Sequence, residues 1–225
     1  MRIELQRRQG TCHIDVAFQS DEHGITALFG PSGAGKSSII NMVAGLQKPD
    51  SGSIFIHGRY LFDSMRGINQ PPEQRNVGYV FQEDVLFPHL SVRSNLLYGQ
   101  RRNQSSDDRV DFDQVINLLG IQHLLPRKPR TLSGGEKQRV SFGRAVLSNP
   151  DILLMDEPLV SLDDARKEEL LPFIKELNTR CNIPILYVSH SLEEILTLTN
   201  KIIRLENGKI AEISRQCRQI ENNML

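Results

Sequence analysis

GPSGAGKS, residues 30–37, is the stretch whose reading decides the fold. It fits G-x-x-x-x-G-K-[ST], in which the glycines let successive backbone N–H groups turn inward and cradle a phosphate chain. Lys36 offers a point charge to β- and γ-phosphates, and Ser37 offers a hydroxyl to Mg²⁺. Upstream, ITALF (25–29) reads as a buried parallel strand; downstream, SSIINMVA (37–44) reads as a helix whose N-terminus faces the anion. Strand, loop and helix follow in the order the motif needs. The candidate nucleotide-cradling residues are therefore Gly30, Pro31, Ser32, Gly33, Ala34, Gly35, Lys36, Ser37 and Ser38.

Working outward, ILLM (152–155) and PILYVS (184–189) are short apolar runs suited to buried strands. Phe112, Val115, Ile116 and Leu119 recur at helical spacing. Lys201–Glu206 and Lys209–Ile213 flank Asn207-Gly208, a pair suited to a two-residue hairpin. Strands alternating with helices predict an α/β fold with a largely parallel sheet. RRNQSSDDR (101–109) is polar and aperiodic and reads as a solvated loop.

ILLMDEP (152–158) ends an apolar strand in two acids, at the carboxyl edge where open α/β sheets bind ligands. Asp156 is the candidate for holding Mg²⁺ and Glu157 for polarising an attacking water.

The 27 Lys and Arg balance the 27 Asp and Glu, so no net field draws nucleic acid or anionic lipid. Cys12, Cys181 and Cys217 are odd in number and widely spaced, and they read as reduced thiols rather than metal ligands. No apolar run approaches the roughly 18–20 residues of a membrane span, and MRIELQRRQG lacks a signal-peptide core. Any membrane role is expected to come through a partner.

LSGGEKQ (132–138) places Ser133, Gly134 and Gly135 ahead of a helix expected over 136–148. Backbone amides and a dipole worth roughly half a unit charge face that end, a site for an anion. This motif resembles the signature of the ATP-binding cassette ATPases, and other stations of that family follow in order. Gln82 in GYVFQ resembles the glutamine that senses Mg²⁺ and attacking water. Ser161, Leu162 and Asp163 resemble the D-loop, and His190 in YVSH the switch histidine at the γ-phosphate. The resemblance covers most of the chain. It implies a P-loop NTPase core, an N-terminal antiparallel β subdomain and a helical signature subdomain over approximately 83–148, all in a single domain 1–225.

It further implies that two copies close head to tail on ATP and Mg²⁺, with Ser133, Gly134 and Gly135 of one chain meeting the nucleotide of the other. Catalytic roles fall to Glu157, His190 and Gln82; Ser37, Gln82 and Asp156 hold the metal. Partners are an integral membrane permease and, indirectly, a periplasmic or extracellular binding protein, which puts the chain at the cytoplasmic face of the membrane. Val85, Leu86, Phe87, Leu90 and Val92 read equally as a permease contact and as helical core.

GRYLFDSMRGINQPPEQRNVGYVFQ and EPLVSLD resemble the molybdate-importing branch. Two departures stand out. Residues 1–17 contain no Phe, Tyr or Trp to stack on adenine, leaving Arg7, Arg8 and His13 as candidates. The chain also ends at Leu225, without the C-terminal oxyanion-binding domain usual in that branch. The alternatives are a cassette ATPase for another importer substrate and, as a different class, a cassette that clamps nucleic acid; the absence of heptads between Ser37 and Ser133 and the balanced charge speak against the latter.

Overall fold

The computed structural model describes residues 1–10, 12–20, 23–82, 85–100, 110–160 and 162–214. The loop reading of 101–109, the D-loop Ser161 and the thiol of Cys217 lie outside the described residues.

Among these residues the strands form one 11-stranded sheet. Its parallel part contains β3 (Ile25–Phe29), β7 (Val77–Val80), β8 (Ile152–Asp156), β9 (Ile185–Ser189) and β10 (Ile202–Glu206). In space the order is β10-β3-β9-β8-β7, so chain order and spatial order part company at β3 and β9. That switch opens a crevice at the carboxyl ends of the strands, where α/β sheets place ligands. Side chains of alternate residues face opposite sides. Leu153, Met155, Ile185 and Tyr187 join one core; Ile152, Leu154, Leu186 and Val188 join the other.

The remaining strands extend the same sheet and pair antiparallel, except where β11 runs parallel to β2. β1 (Arg2–Gln9) pairs with β2 (Cys12–Gln19) and with β4 (Ser51–Ile56), which pairs with β5 (Arg59–Asp63) and through it β6 (Ile68–Asn69). β11 (Lys209–Ser214) closes the hairpin with β10 and meets β2. Asn207 and Gly208 have φ of 49° and 78°, as a two-residue turn with both centres left-handed requires.

α1 (Lys36–Ala44) packs under the second core through Ile39, Ile40 and Val43. Between β7 and β8 lie α2 (Val92–Gln100), α3 (Phe112–Leu118) and α4 (Gly134–Leu147). Val92, Leu96, Val115, Ile116, Val140 and Phe142 share the first core with the sheet, so these helices are welded to it. α5 (Asp164–Cys181) and α6 (Leu192–Leu198) cover the same face.

Candidate functional site

Four neighbouring parallel strands, β3, β9, β8 and β7, deliver the candidate residues at their carboxyl ends: the glycine-rich loop, His190, Asp156 with Glu157, and Gln82. The loop's tight path depends on Gly30, whose Cβ would lie 2.3 Å from the Leu205 carbonyl oxygen, and on Gly35, the left-handed cap of α1. Lys36 is buried, and its ammonium donates to the Gly30 and Pro31 carbonyls at 2.8 and 3.0 Å. These bonds hold the charge inside the loop, where a phosphate oxygen can replace them.

Ser37 Oγ donates to Asp156 Oδ1 at 3.0 Å. The Tyr79 hydroxyl stands 3.4 Å from Asp156 Oδ2 and 3.0 Å from Asn41 Oδ1. Burial raises the Asp156 pKa; the Ser37 hydrogen bond opposes that shift and the Glu157 charge adds to it. Burial, with the charge of Asp156, also drives the Tyr79 phenol well upward, so it stays a neutral donor.

Glu157 sits between two cations or potential cations. Its Oε1 lies 3.8 Å from Lys36 Nζ and its Oε2 lies 3.3 Å from His190 Nδ1. With Ser32, Gly33, Gly35, Lys36, Ser37 and Ser38 it lines an open pocket of about 370 Å³. The structure thus brings together Lys36, Ser37, Asp156, Glu157 and His190. Gln82 is exposed two residues beyond β7, and among the described residues no hydrogen bond joins it to Ser37 or Asp156.

Ser133 caps α4. Its Oγ accepts from the Glu136 N–H at 3.3 Å while Glu136 Oε2 accepts from the Ser133 N–H at 2.7 Å. The helix begins at Gly134, two residues earlier than its expected start. Ser133 and Gly135 line a second pocket with His123, Arg139 and Arg166, and no residue lines both this pocket and the loop pocket. A Cβ on Gly134 would meet no described atom within 4 Å, and one on Gly135 would meet only Arg166, at 3.7 Å. Neither glycine has a positive φ. Nothing described in the chain itself therefore demands glycine at these two positions.

Against known proteins, the profile described as ABC transporter matches residues 14–160, more than half the chain. This chain belongs to the ABC transporter family. It is 56% identical over 209 residues to a molybdenum import ATP-binding protein ModC of Paramagnetospirillum magneticum, covering 93% of this chain and 57% of that one. The corresponding protein of Rhodospirillum rubrum is 54% identical, with 93% and 56% covered. The chain spans little more than half the length of these curated relatives. A solved dimeric, post-hydrolysis structure of the ATP-binding cassette MJ0796, bound to ADP and Pi, superposes with a TM-score of 0.76. It is 25% identical and covers 96% of this chain and 98% of its own. A nucleotide-free cassette from an ABC transporter gives a TM-score of 0.81 at 24% identity, covering 99% and 94%, and supports the fold.

Within this cassette the apolar run after Gln82 divides by residue. Leu86 and Val92 are core, whereas Val85 is exposed with Phe81 and Tyr98. Asn95, fully buried, staples the loop between them: it accepts from the Phe87 N–H and donates to the carbonyls of Phe87, Leu90 and Ser91. Of the stacking candidates, the Arg7 guanidinium is engaged by the Lys48 carbonyl, while Arg8 and His13 are exposed cross-strand partners. Tyr79 and Asn95 escaped the sequence reading. The one cue to Tyr79 was a polar aromatic tip in an otherwise apolar strand.

Proposed function

We propose that this chain is the ATP-hydrolysing subunit of an ABC import system, driving a small oxyanion, molybdate by likeness to its relatives, through a separate membrane permease. The observation that carries the ATPase reading is Glu157, held between Lys36 and His190 at the mouth of the phosphate loop beside the Ser37–Asp156 pair. Ser37 and Asp156 are hard oxygen donors already within hydrogen-bond reach of one another, a set that suits Mg²⁺. With Gln82 they would hold the ion, which when bound neutralises charge on the β- and γ-phosphates. Lys36 exchanges the Gly30 and Pro31 carbonyls for phosphate oxygens. Glu157 takes the proton of the attacking water or orients it, and His190 senses the γ-phosphate from the other side of that carboxylate.

The open faces of Gly134 and Gly135 support a second copy closing over the α4 N-terminus, with its nucleotide near Ser133. The solved MJ0796 cassette, itself dimeric and bound to ADP and Pi, supports the pairing of two copies. The described residues within approximately 83–148 make up the helical subdomain in this reading, and exposed Phe81, Val85 and Tyr98 are the face offered to the permease at the cytoplasmic side of the membrane. A periplasmic or extracellular binding protein supplies the oxyanion without touching this chain.

Glu157→Gln is expected to bind ATP and form an ATP-dependent dimer, with phosphate release lower by roughly 10²- to 10⁴-fold. Light scattering and a steady-state phosphate assay check both halves, and full turnover in the variant would remove Glu157 from the role. For the import reading, the chain copurified with its permease should be stimulated by oxyanion-loaded binding protein. Stimulation by DNA instead would overturn it.

A further inference from the structure

Glu157 has a φ of +46°, the left-handed conformation, which is unfavourable for a residue with a Cβ and persists only where the surroundings impose it. Three hydrogen bonds impose it. The Glu157 N–H donates to the Val188 carbonyl at 3.0 Å, and its carbonyl accepts from the Val160 N–H at 3.3 Å. The third reaches Pro158, the next residue, which is buried and has no N–H of its own. Its carbonyl accepts from Gln138 Nε2 at 2.5 Å. Gln138 is 1% exposed, and a primary amide buried to that degree is costly unless bonded, so the bond defines where the side chain lies.

Gln138 belongs to α4, four residues after Gly134 and so on the same face of the helix one turn along. We infer that Gln138 is a positioning residue: its buried amide holds the Pro158 carbonyl and thereby the left-handed turn that aims the Glu157 carboxylate at Lys36 and His190. The helix whose N-terminus carries Ser133–Gly135 and the carboxylate of the loop pocket are thus joined through one hydrogen bond. This rests on the proposed reading of Glu157 as the group acting on the attacking water.

Two variants test it. Gln138→Met keeps length and shape but donates nothing; kcat for phosphate release should fall at least about tenfold, as misaimed groups cost, while KM for ATP moves less than about threefold. Gln138→Glu supplies a donor only when protonated. Burial raises the pKa of such a carboxyl, so the variant should approach wild-type kcat near pH 6 and lose at least about tenfold relative to wild type by pH 9, again at near-constant KM. Thermal melts run at each pH confirm that the chain stays folded. If Gln138→Met does not fold, the pH series of Gln138→Glu decides alone. Gln138→Met within twofold of wild-type kcat, or a flat Gln138→Glu ratio across pH, overturns the inference. A wild-type chain that releases no phosphate removes the proposed function and this inference with it; an active wild type beside an active Gln138→Met removes the inference only.

Discussion

Asp156 Oδ1 accepts from the Ser37 hydroxyl, and its Oδ2, at 3.4 Å, shares the Tyr79 phenol proton with the nearer acceptor Asn41 Oδ1 at 3.0 Å. If Ser37 turns to a metal, Tyr79 still fixes the plane of the carboxylate. Tyr79→Phe should therefore raise the Mg²⁺ concentration for half-maximal turnover by about tenfold, the size expected of a group that orients a metal ligand. Mn²⁺ binding to the nucleotide complex checks the same shift directly, and nucleotide affinity in EDTA should not move. An unchanged metal requirement would leave Tyr79 a packing residue, stacked on Phe81 at 4.0 Å. The pH dependence follows from the same carboxylate. Its pKa is raised chiefly by burial, and a metal needs the ionised form, so metal-supported turnover should fall on acidification sooner than for a surface aspartate. Excess Mg²⁺ should push that limb to lower pH. Lys36, Ser37, Asp156 and Glu157 were legible in the sequence because each lies in a contiguous motif. Tyr79 was not, because its partners Asn41 and Asp156 lie 38 and 77 positions away.

At the level of elements, α1 shows how a helix placed by its motif is finished by a residue outside it. Its last carbonyls have no partner within the helix. Arg75, fully buried, donates to those of Met42 and Val43 at 2.7 and 2.9 Å, and also to the Gln70 carbonyl and Asn69 Oδ1. Burial lowers its pKa to about 10, so it is charged at neutral pH and ties the β6 segment to the phosphate-loop helix. Arg75→Met should strip these acceptors at once and destabilise the chain by about 3 kcal/mol or more, read from the urea midpoint. A loss below about 0.5 kcal/mol would mean that water replaces the guanidinium. The left-handed Gly45 packs against that guanidinium, where a Cβ would stand 2.6 Å from Nε. The strands β3, β8 and β9 were read to within a residue from buried apolar runs. β1 and β2 were not read from the residues, although Ile3 and Leu5, then Ile14, Val16 and Phe18, alternate as half-buried strands do. Charged, polar and small residues fill every second position and no contiguous motif marks these strands, so only the family resemblance implied an antiparallel β subdomain there.

For the whole molecule the decisive geometry is the separation of the glycine-rich loop and the α4 N-terminus into two pockets with no shared lining residue. Sequence alone showed both loops but not their distance, since that depends on how α2, α3 and α4 dock on the sheet. If each active site is made from the phosphate loop of one chain and the α4 N-terminus of another, the chain is half of two sites. Ser133→Arg should then bind ATP as wild type does yet fail to hydrolyse it, and Lys36→Ala should fail at its own pocket. Mixed together, the two inactive variants sort into homodimers and heterodimers. In a heterodimer both lesions fall in one composite site, and the other site is wholly intact. An equimolar mixture should therefore recover phosphate release to about one quarter of wild type if sites act independently, less if both must fire together. A linked tandem of the two variants should recover about half. If instead one chain housed a complete site, no mixing ratio would restore activity, because every chain present would still carry its own lesion.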